Sequence, residues 1–426
     1  MVSKYLTALI FLKNGKAVKN FDDHESMGDI FHIAHMYNDG GMDRLMVLDL
    51  STDDKEHEIN ISVIKELSRI MEIPIIAGGH VNKFDDIKKL LYAGASKVIV
   101  NCSKADAIEL AQEGAERFGK ETIIASIATV DMFFKKKEIV DYVDEFFVLN
   151  ETTATSFENI TDLNYTVFMK EYTFERCVDI LKKEKVWGVC GPFLNDVNTD
   201  IMKLKKDLSD NGINLDSLVC AISWDQFKLN SDGMIPVVVQ DYITDQVLMV
   251  AYMNEEAFET TLKLGKMTYW SRSRNELWTK GLTSGHVQYV KALYLDCDND
   301  TILAKVSQVG KSACHTGAVS CFFQELVKKE YVEKNPIKIF ENIYRVIEDR
   351  KEHPKQGSYT NYLFDNGLDK ILKKVGEEST EIVIASKNPD PEEIKYEISD
   401  LLYHLMVLMV EKGIDWQDIC QELARR

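Results

Sequence analysis

Residues 73–101 read IPIIAGGHVNKFDDIKKLLYAGASKVIVN, and their order decides the architecture of the first half of the chain. A β-branched run at 73–77 stops at Gly78-Gly79, a helical pattern follows at 84–92, and a second apolar run occupies 97–100 after Gly94. Strand, helix and strand at this spacing form the unit from which parallel sheets are built. Working outward, further strands are predicted at 6–11, 45–49, 122–127, 145–149, 166–169 and 187–189, with helices at 28–37, 59–70, 104–118, 174–184 and 200–209. The total of eight strands favours a closed (β/α)8 barrel over an open doubly wound sheet.

The barrel pattern fades at about 214–229, so it accounts for only part of a chain of 426 residues, long enough for two to four domains. A hydrophobic fraction of 45% with 10% aromatics is that of a folded protein. Subtracting 69 acidic from 51 basic residues leaves a net charge of −18, which makes nucleic acid and anionic membrane poor partners. The longest apolar stretch, 401–410, is interrupted by His404 and is about half of what a bilayer needs, so no transmembrane helix is expected. Residues 5–12 lack a basic flank and a cleavage site, and read as a strand rather than a signal peptide. The eight cysteines are scattered, which argues against a disulfide framework and for a reducing cytoplasm.

From Asp232 the texture becomes β-rich, with strands predicted at 234–241, 246–252, 267–270, 287–295 and 302–306 and a short helix capped by Asn254 and stopped by Gly265. After Pro336 the pattern is helical, broken into a hairpin by Asn388-Pro389-Asp390-Pro391. The expected domains are therefore a barrel at 1–225, a β-rich α+β domain at 226–331 and an all-α domain at 332–426.

The densest chemical signal lies in the middle domain. Cys297, Cys314 and Cys321, separated by 16 and 6 residues, can give zinc three soft ligands and leave a fourth position for water. Three buried structural cysteines fit the spacing equally well. Asp296, Asp298 and Asp300 alternate at a predicted strand end, which would crowd three carboxylates on one face and call for a hard cation, magnesium being the simple candidate. In the last domain, Glu378 sits within the apolar stripe Ile371, Val375, Ile382 and Ala385, with Glu381 one turn on. Glu397 and Asp400 repeat the spacing on the next helix, Asp400 among the core formers Ile398, Leu401 and Leu402, so four carboxylates face across a helical hairpin and demand cations. Glu392 and Glu393 suit a solvated face instead.

Three resemblances follow from the motifs. Residues 11–19 (FLKNGKAVK), Val47-Leu48-Asp49-Leu50, 74–79 (PIIAGG) and 93–101 (AGASKVIVN) resemble the cyclase subunit of imidazole-glycerol-phosphate synthase. That family carries an aspartate at the end of its first strand and another at the end of its fifth, but in register these positions are Phe11 and Ile127, neither of which can hold a proton. The stretch 128–144 is also short, and late glycine-rich phosphate loops are not evident, so the resemblance implies a degenerate, non-catalytic barrel in which Asp49 and Asn101 are remnants.

The segments 270–274 (WSRSR), 277–281 (LWTKG), Thr283-Ser284-Gly285, 296–300 (DCDND) and Cys314-His315-Thr316-Gly317 through Ser320-Cys321-Phe322 resemble phosphoribosyl-AMP cyclohydrolase. The resemblance implies zinc on Cys297, Cys314 and Cys321, magnesium on Asp296, Asp298 and Asp300, His315 in acid/base catalysis, and a homodimer sharing the zinc site between subunits. Arg272, Arg274, Lys280 and Ser284 would bind the substrate, the cations through its phosphoryl groups. His286 departs from the family, which usually shows Asn there.

Residues 373–381 (KKVGEESTE), 396–404 (YEISDLLYH) and Ser358-Tyr359-Thr360 resemble phosphoribosyl-ATP pyrophosphohydrolase, with magnesium implied on Glu378, Glu381, Glu397 and Asp400 and phosphate contacts from Lys373 and Lys374. The joint expectation is a bifunctional hydrolase of histidine biosynthesis acting on phosphoribosyl-ATP and phosphoribosyl-AMP. Its rivals are a trifunctional enzyme with a working barrel cyclase and a barrel that serves as a binding or assembly module.

Overall fold

The computed structural model describes residues 3–196, 199–310, 312–330, 332, 334–389 and 391–424. The chain falls into two compact units, Met1–Gln324 and Glu325–Arg426.

The first unit opens with β1 (Tyr5–Lys13) and the short β2 (Lys16–Val18), joined by Asn14 and Gly15, both at positive φ as a two-residue hairpin turn requires. Then come β3 (Arg44–Asp49), β4 (Ile75–Gly78), β5 (Lys97–Asn101), β6 (Ile123–Ile127), β7 (Glu145–Val148), β8 (Asn164–Phe168) and β9 (Val186–Cys190). All but β2 pair in parallel, and β9 returns to β1 with Leu6 opposite Val189, closing the eight-strand barrel anticipated from the alternation. Period-two alternation separates two cores. Leu9, Met46, Ile76, Ile99, Ile124 and Phe147 fill the lumen, while Leu6, Ile10, Leu45, Val98 and Ile127 pack outward under the helices.

Ile127 therefore does not face the mouth. Its neighbour Ser126 does, because one residue of phase reverses the face of a strand. Between β6 and β7 there is only a helix at Val130–Lys135 and a single tight turn of helix at Lys137–Asp141. At the opposite end of the barrel Arg44 pairs with the buried Glu145 at 3.0 Å, a stabilising contact remote from the mouth.

The β-rich part of the same unit comprises β10 (Ile235–Asp241), β11 (Val247–Met253), a helix at Glu255–Leu264, β12 (Thr268–Ser271), β13 (Glu276–Thr279), β14 (Gln288–Leu295) and β15 (Ile302–Gln308). Four strands form one sheet in the order β11-β10-β15-β14, while β12 and β13 make a separate hairpin. Asn254 caps the helix through Ala257 N, and Gly265 ends it at φ 63, where a Cβ would approach Met202 Cγ to 2.6 Å. That crowding belongs to the seam between barrel and sheet. Along the same seam Lys266 pairs with Asp200 at 2.7 Å and Lys291 with Glu72 at 2.8 Å, while the Ser307 hydroxyl donates to Asp39 at 2.9 Å.

The second unit consists of α1 (Pro336–Glu352), α2 (Tyr359–Asp365), α3 (Gly367–Ala385), α4 (Pro391–Lys412) and α5 (Trp416–Ala424). Its core gathers Tyr344, Ile347, Leu363, Ile371, Met406, Val407 and Val410. Only the second half of α4 enters that core. Ile398 and Asp400 are exposed, contrary to the buried face expected for them, because the buried stretch of α4 begins only at His404. Among the described residues no helix is long and apolar enough to cross a membrane.

Candidate active sites

Among the described residues two groups bring carboxylates together, one in each unit. In the first unit the connection from β14 to β15 turns tightly through Asn299 at φ 65, and the Asp296 carboxylate accepts from the amides of Asp300 at 2.9 Å and Thr301 at 3.1 Å. This turn, rather than strand alternation, gathers Asp296, Asp298 and Asp300, whose carboxylate oxygens lie within 4.8 Å of one another. Desolvation works to raise the Asp296 pKa, but the donated hydrogen bonds prevail and hold it below the usual carboxylate range. Three like charges so close on a hairpin tip suit a hard divalent cation with oxygen ligands. Lys228, 3.5 Å from Asp298, partly offsets them.

Cys314 and Cys321 flank a tight loop, 312–321, tied down by the Ser312 hydroxyl on Cys314 O at 2.7 Å and by Cys321 N on Leu248 O of β11 at 2.7 Å. The two thiols interact. The Thr316 hydroxyl donates to Cys314 Sγ at 3.1 Å and, with the Thr316 amide, lowers the Cys314 pKa, whereas burial and then Cys314 itself push the Cys321 thiol up. Two thiols of unequal acidity thus lie side by side, a pair suited to become two soft ligands as their protons leave. Cys297 is exposed on the carboxylate turn, and among the described residues it does not join Cys314 and Cys321 in a cluster within 4.8 Å. One chain thus brings together two of the three thiols singled out by their spacing. His315 is exposed beside them, its Nδ1 3.9 Å from Cys314 Sγ.

The expected phosphate ligands divide. Arg272 lies 4.0 Å over the Tyr252 ring, Ser284 is exposed and accepts from His286 N at 3.3 Å, and Arg274 is drawn into a pair with Glu276 at 3.2 Å. Lys280 is buried, its Nζ donating to Ala313 O at 2.5 Å, so its ammonium points at the cysteine loop rather than outward. His286 lies against Val309 O at 3.4 Å, close enough to Gly310 that a Cβ there would meet Nδ1 at 2.4 Å.

In the second unit Glu378 on α3 is buried, and its carboxylate lies within 4.8 Å of those of Glu381 and of Glu397 on α4. Asp400, one turn on, is exposed and outside that three-residue cluster. Burial, and then repulsion from Glu381, Glu378 and Asp400, raises the Glu397 pKa. Lys374 sits 2.9 Å from Glu377 and 3.4 Å from Glu378, and Lys373 is 3.3 Å from Glu377, so both lysines partly neutralise the acidic helix. Carboxylate spacing alone does not point to the support beneath Glu378. His404 is buried with Nδ1 3.6 Å from Glu378 Oε1, and Tyr359 OH meets its Nε2 at 3.0 Å. The signal was present as the one polar interruption of the apolar run 401–410.

Comparison with known proteins agrees with this division. Residues 249–323 match the family model for phosphoribosyl-AMP cyclohydrolase, 340–426 that for phosphoribosyl-ATP pyrophosphohydrolase, and 6–181 that for histidine biosynthesis protein. A histidine biosynthesis bifunctional protein HisIE from Thermoanaerobacter pseudethanolicus is 53% identical over 210 residues, which span 46% of this chain and 97% of that protein. Its namesake from Lactococcus lactis is 53% identical over 193 residues, or 45% of this chain and 88% of that protein, and the one from Bacillus subtilis 46% over 202 residues, or 47% and 95%.

Proposed function

The chain belongs to the family of histidine biosynthesis bifunctional proteins and carries both of its hydrolase domains, and from that premise we propose how its residues divide the work. The helical domain, taken as 332–426, hydrolyses phosphoribosyl-ATP to phosphoribosyl-AMP and pyrophosphate. The β-rich domain, taken as 226–331, then opens the adenine ring of phosphoribosyl-AMP, and the barrel, 1–225, takes no part in the chemistry.

In the β-rich domain Cys314 and Cys321 hold zinc together with Cys297 of the partner subunit, and Asp296, Asp298 and Asp300 hold magnesium. When bound, such a zinc supplies a water acidic enough to act at neutral pH. His315, adjacent to Cys314, delivers the proton that the ring nitrogen takes up as the ring opens. Arg272 and Ser284 face solvent and receive the phosphoryl groups. Arg274 joins them only by leaving Glu276. Lys280 braces the loop that presents Cys314. In the helical domain Glu378, Glu381 and Glu397 hold magnesium for the triphosphate, with Asp400 able to reach in from the next turn, while His404 and Tyr359 fix the orientation of Glu378.

The observation that carries the reading is the incomplete thiol set. Two cysteines share a loop while the third stands apart on an exposed turn, which supports a site finished by a second copy of the chain. Product analysis with phosphoribosyl-ATP tests it. Cys314→Ala should accumulate phosphoribosyl-AMP while releasing pyrophosphate at the wild-type rate, and full conversion by that variant would reject the zinc assignment. A barrel without chemistry also requires that the full chain show no cyclase turnover, consistent with Phe11 and Ser126 lining the mouth where carboxylates would be needed.

A further inference from the structure

We propose that the mouth of the barrel is a binding site for a small amphipathic organic anion, its apolar body held in the bowl of Leu9, Phe11, Leu48, Ile99, Phe147 and Phe168 and its acidic head at Lys13 and Lys104. The bowl is a cavity of about 760 Å³, within the range of small-molecule sites, and it lies at the carboxyl ends of the strands, where barrels expose ligand-binding side chains. Five strands contribute its apolar wall, so the surface is set by the rigid frame rather than by one loop.

The polar groups around it say what kind of ligand fits. Asp49 is the one carboxylate in the wall, and both its oxygens are taken: Oδ1 by the Ser51 amide at 2.8 Å and Asn60 Nδ2 at 2.6 Å, Oδ2 by His57 Nδ1 at 2.6 Å. Buried and hydrogen-bonded on both oxygens, it is committed to the protein rather than left open to a cation or a ligand proton. Lys13 makes no ion pair among the described residues, and the Lys104 ammonium donates to two neutral acceptors, Val81 O and Asn82 Oδ1, with the charges of Asp106 and Asp86 acting on it from farther off. The unpaired ammonium of Lys13, with that of Lys104 hydrogen-bonded to neutral oxygens beside it, favours an anionic head group. Phe21, 69% exposed, stands at the rim, where it can cover an apolar body. An acid committed to protein donors and an apolar wall describe a binder.

Titration calorimetry on the full chain with 8-anilinonaphthalene-1-sulfonate, and with neutral N-phenyl-1-naphthylamine, tests the proposal. One sulfonate should bind per chain, and Ser126→Trp, which fills the bowl without adding charge, should weaken both probes at least ~10-fold with both hydrolase rates unchanged. Lys13→Met should weaken the sulfonate ~5-fold and leave the neutral probe within ~2-fold, and as a rim substitution it carries the test if Ser126→Trp loses its fold. Sulfonate binding that ignores the substitution in a folded Ser126→Trp protein, or equal losses of both probes in Lys13→Met, would overturn the assignment.

Discussion

Asp49 in the barrel and the carboxylates of the two hydrolase sites are the same chemical group in opposite circumstances. Asp49 is 3% exposed, accepts from Ser51, Asn60 and His57, and has its pKa lowered by those bonds in spite of burial. Glu397 faces Glu381 and Glu378 with no comparable donors, and its pKa rises. A buried acid with protein donors on each oxygen is part of the architecture, whereas acids gathered against one another repel and suit a cation. In this chain the charges that the fold leaves unsatisfied, not the buried and bonded ones, mark the candidate sites.

Removing a predicted metal ligand breaks the contrast most severely. Cys314→Ala should cut ring opening by more than ~100-fold while sparing pyrophosphate release, measured by following both products. Glu378→Gln should do the reverse, slowing pyrophosphate release by roughly 100-fold with ring opening of supplied phosphoribosyl-AMP intact. Asp49→Ala should leave both rates alone and cost roughly 1–3 kcal/mol of stability in denaturant unfolding, because it strands His57 and Asn60 in a buried site. A subtler consequence concerns pH. Glu397 binds its proton more tightly folded than unfolded, so the metal-free helical unit should become more stable as pH falls through the raised folded pKa toward the ordinary carboxylate value, and magnesium should erase that trend in thermal melts. Smallest of all, Lys291→Ala at the seam between barrel and sheet should cost about 0.2–1 kcal/mol, since its partners Asp39 and Glu72 lie in a partly solvated contact.

Much of the fold was legible because strand periodicity is short and repeated. Eight apolar runs separated by helical patterns leave few alternatives to a closed barrel, and the Asn14-Gly15 turn and the Asn254 cap carry their own local instructions. What escaped depended on phase or reach. Ile127 and Ser126 differ by one position and hence by face, which a motif register alone does not fix. β13 is four residues, Glu276 to Thr279, bounded by a polar turn at Asn275, too short to show its own pattern. Asp400 has the helical spacing of a core position, but periodicity cannot tell where along α4 burial begins, which is at His404. Lys280 reads as a phosphate ligand by its charge beside Arg272 and Arg274, and its burial against Ala313 O arises from long-range packing that spacing does not show. The three aspartates were chosen for alternation and brought together by a turn, while Cys314 and Cys321 were chosen for spacing and meet across a loop.

The central claim is that each zinc site borrows a thiol from a second copy, and mixed dimers test it most directly. Cys297→Ser and Cys314→Ser chains, each inactive in ring opening alone, should on random re-association form mixed dimers in which one of the two sites is whole, restoring about one quarter of wild-type turnover. Ring opening that stays at zero after verified exchange, or that persists at the wild-type rate in either variant alone, would contradict the account.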